Sequence, residues 1–413
     1  LSINNTVNPF CNLYLVVILV PGMKFGVYVH IPYCVQRCSY CDFATYKQDE
    51  ILPSKDYLDI LRKEISDRSG AVPYRIIDTV YFGGGTPSLL DPEDVRSILD
   101  SFLSAGFVFN SNVEVTLEAN PGTVSEKKLL GYLRAGVNRI SVGAQTFDAA
   151  LLKDIGRFHS PKDTENTLSL LRSLSLNYSF DLLFALPNQS QELLAYDLKK
   201  VLEFQPPHLS PYCLTLPKNH KLQVNRPNDD RQIEMFNLIN TTLLDNGYHS
   251  YEISNYAKPG LESRHNQLYW DDSPYWGVGL SSHSYFKQGD WGTRFWNPST
   301  IQEYERQVSN PPALSVSIKD YLGASQYEEL KIHESLSDYC YTFLRTARGL
   351  SDGALRCKFG SDLHSLVINK LKPLLDRGLV AKNADTWFIT SDGKMISNHI
   401  FENVHFTASC ITR

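Results

Sequence analysis

Three cysteines, Cys34, Cys38 and Cys41, stand at C-x3-C-x2-C directly after the apolar, β-branched run from Phe25 to Ile31. Thiolates this close on a loop leaving a strand can converge on one metal centre. A cubane [4Fe–4S] cluster is held by cysteine thiolates and normally takes four. Three leave one iron without a protein ligand, which is a chemical opening rather than a closed structural site. Structural zinc pairs C-x2-4-C with a second ligand pair. No such pair follows here: His30 lies in the strand, and the next cysteine is Cys213. Cys11, Cys213, Cys340, Cys357 and Cys410 are isolated and read as small buried hydrophobes.

Further groups able to bind a ligand collect downstream. Gly83-Gly84-Gly85-Thr86-Pro87-Ser88 would let backbone N–H groups approach an anionic or amino-acid-like ligand. Glu118-Ala119-Asn120-Pro121-Gly122, Gln145, Gly156-Arg157-Phe158-His159-Ser160 and Asp181 each fall near the end of an apolar run. Singly, each is an ordinary turn or surface residue. Together, at the strand ends of a parallel βα array, they form a polar ligand pocket beside the cysteines.

The elements that must position them alternate as short strands and amphipathic helices. Strands are expected at 25–31, 77–82, 112–118, 138–143, 179–184 and 209–215. Asp91-Pro92-Glu93 supplies an N-cap, a proline at the first helical position and an acidic first turn. Val95, Ile98, Leu99, Phe102 and Leu103 then form one apolar face. Ser160-Pro161 and Ser190 open two more helices, and Gly136 closes another. Six such units predict an α/β fold, an incomplete (β/α)6 TIM-like barrel.

A chain of 413 residues exceeds one compact core, so an appended domain is expected. Beyond Pro311-Pro312, helices at 328–344, 354–359 and 363–377 and a hairpin at 378–390 predict a winged-helix-like module. The domains then read as a 1–22 extension, a 23–250 barrel, a 251–312 linking segment and a 313–413 C-terminal domain. A net charge of -5 gives no general electrostatic reason to bind nucleic acid. Lys358, Lys370, Lys372, Arg377 and Lys382 make only a thin basic patch, so the module is expected to pack on the barrel rather than read DNA. Residues 12–20 are apolar but too short to span a bilayer, with no basic residue ahead of them. Residues 1–22 are expected to be an upstream extension, with Met23 the natural start. Eight cysteines without repeating pairs exclude a disulfide framework, and an open iron–sulfur site calls for a reducing interior, the cytoplasm.

With these residues in view, the chain resembles the radical S-adenosylmethionine (SAM) superfamily. The motifs Tyr28-Val-His-Ile-Pro-Tyr-Cys34, Gly83-Gly-Gly-Thr-Pro-Ser88, Glu118-Ala-Asn-Pro-Gly122, Gly156-Arg-Phe-His-Ser160 and Asp181-Leu-Leu-Phe-Ala-Leu-Pro187 narrow the likeness. They resemble the oxygen-independent coproporphyrinogen III oxidase group, from about residue 25 to the C-terminus. The resemblance implies that Cys34, Cys38 and Cys41 ligate a [4Fe–4S] cluster whose open iron SAM closes. It further implies that Gly84, Gly85 and Thr86 hold the methionine end of SAM. Glu118, Gln145, Arg157 and Asp181 would contact its carboxylate, sulfonium side or ribose. Tyr28 and Tyr40 would flank cluster and cofactor, and Thr215 would meet SAM from the sixth strand.

The group holds true oxidases and a HemW-type haem chaperone branch. Oxidases continue the cluster loop with a further Cys-x-Cys; here Cys41 is followed by Asp42-Phe43. Tyr251-Glu-Ile-Ser-Asn-Tyr-Ala257 and His265-Asn-Gln-Leu-Tyr-Trp270 resemble the chaperone branch, which implies His265 as a haem-holding residue. His283 is a weaker second candidate, more at home in the core. Pro217-Lys-Asn-His220 replaces that branch's usual Glu-Pro-Gly-Thr. The resemblance thus implies a cluster, SAM and haem as cofactors. Its partners would be haem-accepting proteins and an electron donor for the cluster, with membranes met only through a target. The competing function is radical oxidative decarboxylation of coproporphyrinogen III. A redox-sensing DNA regulator is a third, disfavoured by the thin basic patch.

Overall fold

The computed structural model describes residues 23–311 and 317–411; the expectation for residues 1–22 lies outside them. Six strands, β1 (Gly26–Ile31), β2 (Ile76–Gly84), β3 (Val108–Ala119), β4 (Arg139–Gln145), β5 (Asn177–Phe184) and β6 (His208–Cys213), pair in parallel in chain order. Beyond β6 the sheet continues antiparallel through β7 (His249–Glu252) and β8 (Asn255–Ala257), with β8 against β6. On the other side of β1 lies β9 (Tyr275–Val278), parallel to it. Antiparallel β10 (His283–Phe286), β11 (Thr293–Trp296) and β12 (Tyr327–Glu329) complete a twelve-stranded sheet. β7 and β12 are its two edges, so the six parallel strands form an open, partial barrel. Residues 251–310 contribute strands to this sheet rather than only bridging two units.

The strands alternate in a way that decides what the barrel can do. Val27, Val29 and Ile31, Val80 and Phe82, Val115 and Leu117, Ile140 and Val142, Phe180 and Leu182 are buried on one face. The intervening positions are polar: His30, Tyr81, Thr116 and Glu118, Arg139 and Ser141, Ser179 and Asp181, His208 and Ser210. With a side-chain period of two, the apolar set meets the helices and the polar set faces the lumen.

The helices form as their end signals dictate. The helix α1 (Ser54–Arg68) is followed by α2 (Pro92–Ser104), where Asp91 and Asp94 complete a capping box and Val95, Ile98, Leu99 and Phe102 are buried. Leu103, expected on that face, is instead exposed. Ser160 and Asp163 repeat the box, Ser190 caps Leu193 N, and Gly136 ends its helix at φ 110°. Within α1, Glu64 and Arg68 form a fully buried ion pair. It is closed by Asn297, by Tyr304 Oη donating to Glu64 at 2.6 Å, and by Gly279 N donating at 2.9 Å. This network ties α1 to the segments after β9 and β11.

The short helix α3 (Arg264–Trp270) precedes β9. A second hydrophobic core, from Leu336 to Phe406, organises the C-terminal part. Its α4 (Ile332–Arg345) starts later than the expected residue 328, because Tyr327–Glu329 pairs with β11 and Glu334 supplies the helix's N3 acceptor. Next comes α5 (Asp352–Asp376), kinked at Gly360, which has φ 82°. A small sheet of Leu350–Ser351, Val380–Asn383 and Thr386–Ile389 lies against it. Ion pairs join the two cores: Arg345 to Glu252 at 2.7 Å, Lys358 to Asp272 at 2.7 Å, Arg294 to Asp338 and Arg348 to Asp271. Among the described residues, no helix is long and apolar enough to cross a membrane.

Candidate functional site

The cysteine loop leaves β1 at the open end of the barrel. Its backbone is fixed by Ser39 N donating to Ile155 O at 3.0 Å and Cys41 N donating to Cys38 O at 3.2 Å. His220 Nε2 pairs with Ser39 O at 3.0 Å, so the loop that holds Pro217 to His220 braces the cysteines. All three cysteines border one cavity of about 370 Å³. Cys34 is buried, and burial pushes its thiol up from its ordinary value, with Cys41 and Cys38 adding to the shift. Thr86 and Thr45 hydrogen bonds oppose it. Among the described residues, no three His, Cys, Asp or Glu side chains group tightly enough for a single metal ion. Three cysteine thiols bordering one cavity are the donor set of a cluster that keeps one iron open, so the residues present fit that group.

The glycine segment is locked to this loop. Gly85 N donates to Ile31 O at 2.8 Å and Thr86 N to Tyr33 O at 2.7 Å. A Cβ on Gly85 would sit 2.5 Å from Tyr33 O, and one on Gly84 would sit 2.5 Å from the His30 ring. Close approach to the loop requires glycine at both positions, and Gly84 has φ 109° besides.

Across the cavity, Glu118 accepts from Tyr81 Oη at 2.8 Å and from Gly84 N at 3.1 Å. Burial raises its carboxyl to about 7, opposed by the Tyr81 hydrogen bond. Asp181 is likewise raised by burial, to about 6, and accepts from Ser141 Oγ at 3.2 Å. Asn120 Nδ2 donates to Thr86 Oγ1 and Arg157 Nη1 donates to Asn120 Oδ1, both at 2.9 Å. Gln145 ends β4 with φ 70°, a strained conformation for a residue with a side chain, at an irregularity in the β4–β5 register. A Cβ on Gly143 would crowd Arg157 Nη2 at 3.0 Å. Exposed Phe43 and Phe158 stand on the loops at the open end.

Of the expected residues, Cys34, Cys38, Cys41, Tyr40, Gly84, Gly85, Thr86, Glu118, Gln145, Arg157 and Asp181 all line this cavity. Tyr28 stands behind it, stacked on Tyr81 at 6.2 Å with its hydroxyl 3.1 Å from His30 Nδ1. Thr215 is corrected: β6 ends at Cys213, Thr215 is exposed and donates to Cys213 O, and Ser210 and Tyr212 line the cavity instead. His265 is buried beside the cavity wall. Its Nδ1 pairs with Thr79 Oγ1 at 2.7 Å and its Nε2 with Tyr269 Oη at 2.9 Å, while the ring stacks on Tyr81 at 5.1 Å. Burial lowers its pKa to about 3, so the ring is neutral. His283 is exposed and stacks on Trp296. Sequence reasoning misses Tyr81, Arg139, Ser141, Ser179, Ser210 and Tyr212 in the lining. Polar residues at every second strand position are the available signal.

A family model described as the radical SAM superfamily matches residues 28–200. The fold and this cavity are those of a radical SAM protein, a class built around a [4Fe–4S] cluster and SAM. The chain is 32% identical over 385 residues to the heme chaperone HemW of Escherichia coli (strain K12), covering 91% of this chain and 97% of that one. It is 31% identical over 384 residues to the heme chaperone HemW of Bacillus subtilis (strain 168), covering 91% and 98%. The chain belongs to the HemW family. In solved structures, coproporphyrinogen III oxidase (HemN) from Escherichia coli shares the fold, with a TM-score of 0.78 over 94% of this chain and 92% of that one, at 22% identity.

Proposed function

We propose that this chain is a haem chaperone: it binds haem, carries a cluster and SAM in the barrel, and hands haem to acceptor proteins. The observation that carries this reading is its match to HemW relatives along nearly their whole length. Asp42-Phe43 after Cys41, and the intact His265–Trp270 element, support it.

In this reading Cys34, Cys38 and Cys41 hold three irons, and the Thr86 and Thr45 hydroxyls beside Cys34 and Cys41 temper the thiolates. Gly84, Gly85 and Thr86 present backbone to the methionine end of SAM. Glu118, Gln145, Arg157 and Asp181 orient its polar groups, with Tyr40 at the cluster edge. When bound, the cluster–SAM pair supplies one-electron reductive chemistry, and the protein's part is to position it and exclude water. His265 can serve as a haem ligand only after Tyr269 releases Nε2. The acceptor proteins, the electron donor and a cytoplasmic setting belong to the same proposal.

The alternative is oxidation of coproporphyrinogen III on the shared barrel. Anaerobic protein with reconstituted cluster, SAM and reductant is mixed with coproporphyrinogen III, and separately titrated with haem. Haem binding without turnover supports the chaperone. Formation of protoporphyrinogen overturns it.

A further inference from the structure

Strand register sorts the lumen side chains into layers. Thr116 of β3 lies opposite Tyr81 of β2 on one side and Arg139 of β4 on the other, and Tyr81 lies opposite Tyr28 of β1. These four residues share one layer. Glu118 pairs with Ser141, and Ser141 with Ser179, one layer nearer the open end. Gly84, Glu118, Gln145 and Asp181, read above as SAM contacts, all sit at that outer layer or beyond it.

Arg139 is the cation of the inner layer. It is only 2% exposed, yet it borders the cavity. Among the described residues its guanidinium makes one hydrogen bond, Nη2 donating to Ser179 Oγ, and no carboxylate oxygen comes within 4.0 Å of it. Its Nε is buried without a partner. So are Thr116 Oγ1 in the same layer and His208 Nδ1, on the β6 position opposite Ser179. The rings that feel the Arg139 charge are neutral: burial lowers His208 and His265, and the guanidinium lowers them further. Asp181 feels it too, but burial raises that carboxyl to about 6 and Ser141 holds it a layer away. Buried charges are ordinarily paired and buried donors bonded. A guanidinium fork with Nε and Nη1 free matches a carboxylate, which accepts two parallel N–H bonds.

We propose that Arg139 receives the carboxylate of a second ligand, lying in the lumen beneath SAM with Thr116 and Ser179 beside it. SAM's own carboxylate is a different group, because the glycine segment that holds the methionine end stands nearer the mouth. Arg139 then selects what shares the lumen with SAM: a molecule that ends in a carboxylate. The proposal rests on the reading that places SAM in the outer layer.

The test is calorimetric titration of acetate into oxidised, cluster-loaded protein, with and without saturating SAM, in wild type, Arg139→Gln and Arg139→Lys. Chloride at equal ionic strength is the comparison anion, and iron per chain checks that each variant has folded around its cluster. Acetate is expected to bind SAM-loaded wild type saturably and at least about tenfold more weakly in Arg139→Gln. Arg139→Lys should fall between, since lysine keeps the charge and loses the fork. Urea unfolding supplies a second readout. No acidic partner in the chain depends on the guanidinium, so Arg139→Gln should keep or raise the wild-type midpoint. A lowered midpoint with unchanged acetate binding would make Arg139 a structural residue and overturn the proposal. Displacement of acetate by SAM would overturn it as well, by identifying the anion with SAM's own carboxylate, as would chloride binding as tightly as acetate. Absence of saturable acetate binding to the wild type overturns it outright. Failure of the wild type to bind SAM is a separate result, which overturns the SAM reading beneath the proposal.

Discussion

Gly85→Ala isolates the mechanical link between the SAM-binding segment and the cysteine loop. The new Cβ would lie 2.5 Å from Tyr33 O, 2.9 Å from Ile31 O and 3.0 Å from Pro32 C, all backbone. Reaching ordinary contact requires a displacement of nearly 1 Å, because no flexible side-chain end can yield. Overpacking of this kind costs about 1–3 kcal/mol. The two hydrogen bonds Gly85 N to Ile31 O and Thr86 N to Tyr33 O are stretched by the same movement, at about 1 kcal/mol each. The total, roughly 3–5 kcal/mol, falls on the residue next to Cys34 and on the threonine beside its sulfur. Anaerobic reconstitution, read as iron and sulfide per chain together with SAM affinity, should show both reduced in Gly85→Ala. Gly70→Ala is the matched control, since a Cβ there meets nothing within 4 Å. Wild-type iron content and SAM affinity in Gly85→Ala would refute the claim that the two segments are rigidly joined.

Glu64→Gln, which leaves Arg68 buried without a charged partner, should cost about 3–5 kcal/mol in denaturant unfolding. Asp197 is fully buried, accepts from Thr146 Oγ1 at 2.8 Å and Phe147 N at 2.7 Å, and is raised by burial to about 6. Its stabilising contribution is therefore complete below the ordinary aspartate value and is lost as pH rises through 6. Relative to Asp197→Asn, the wild type should lose about 2 kcal/mol between pH 4 and 7, read by urea unfolding at several pH values. Tyr269→Phe strands His265 Nε2 in the interior and should cost about 1–3 kcal/mol, with haem affinity changed in the same variant.

Elements with local signals are legible in the amino-acid sequence itself. The six parallel strands follow from β-branched runs, and the caps at Asp91, Ser160 and Ser190 from side chains that satisfy free helix N–H groups. The cysteines and glycines announce the cavity because their spacing has few other uses. Arg139, Ser179 and Ser210 escape notice because each is unremarkable alone; only their shared lumen face, set by strand register, brings them together. Register is a tertiary quantity, as is the end of β6 that carries Thr215 out of the cavity. The strand at Tyr327–Glu329 is hidden for the same reason, since its partner Thr293–Phe295 is distant in sequence. His265 is marked by its motif, yet nothing in the motif announces its bonding to Thr79 and Tyr269.

The wall of Tyr269, His265 and Tyr81 carries a thermodynamic obligation. Tyr81 borders the SAM cavity and Tyr269 stands at the far side of the wall, so whatever factor SAM imposes on the affinity for a ligand that meets Tyr269, that ligand imposes on SAM. A factor other than one would make a loaded chain and an empty one differ in their grip on SAM by that same factor.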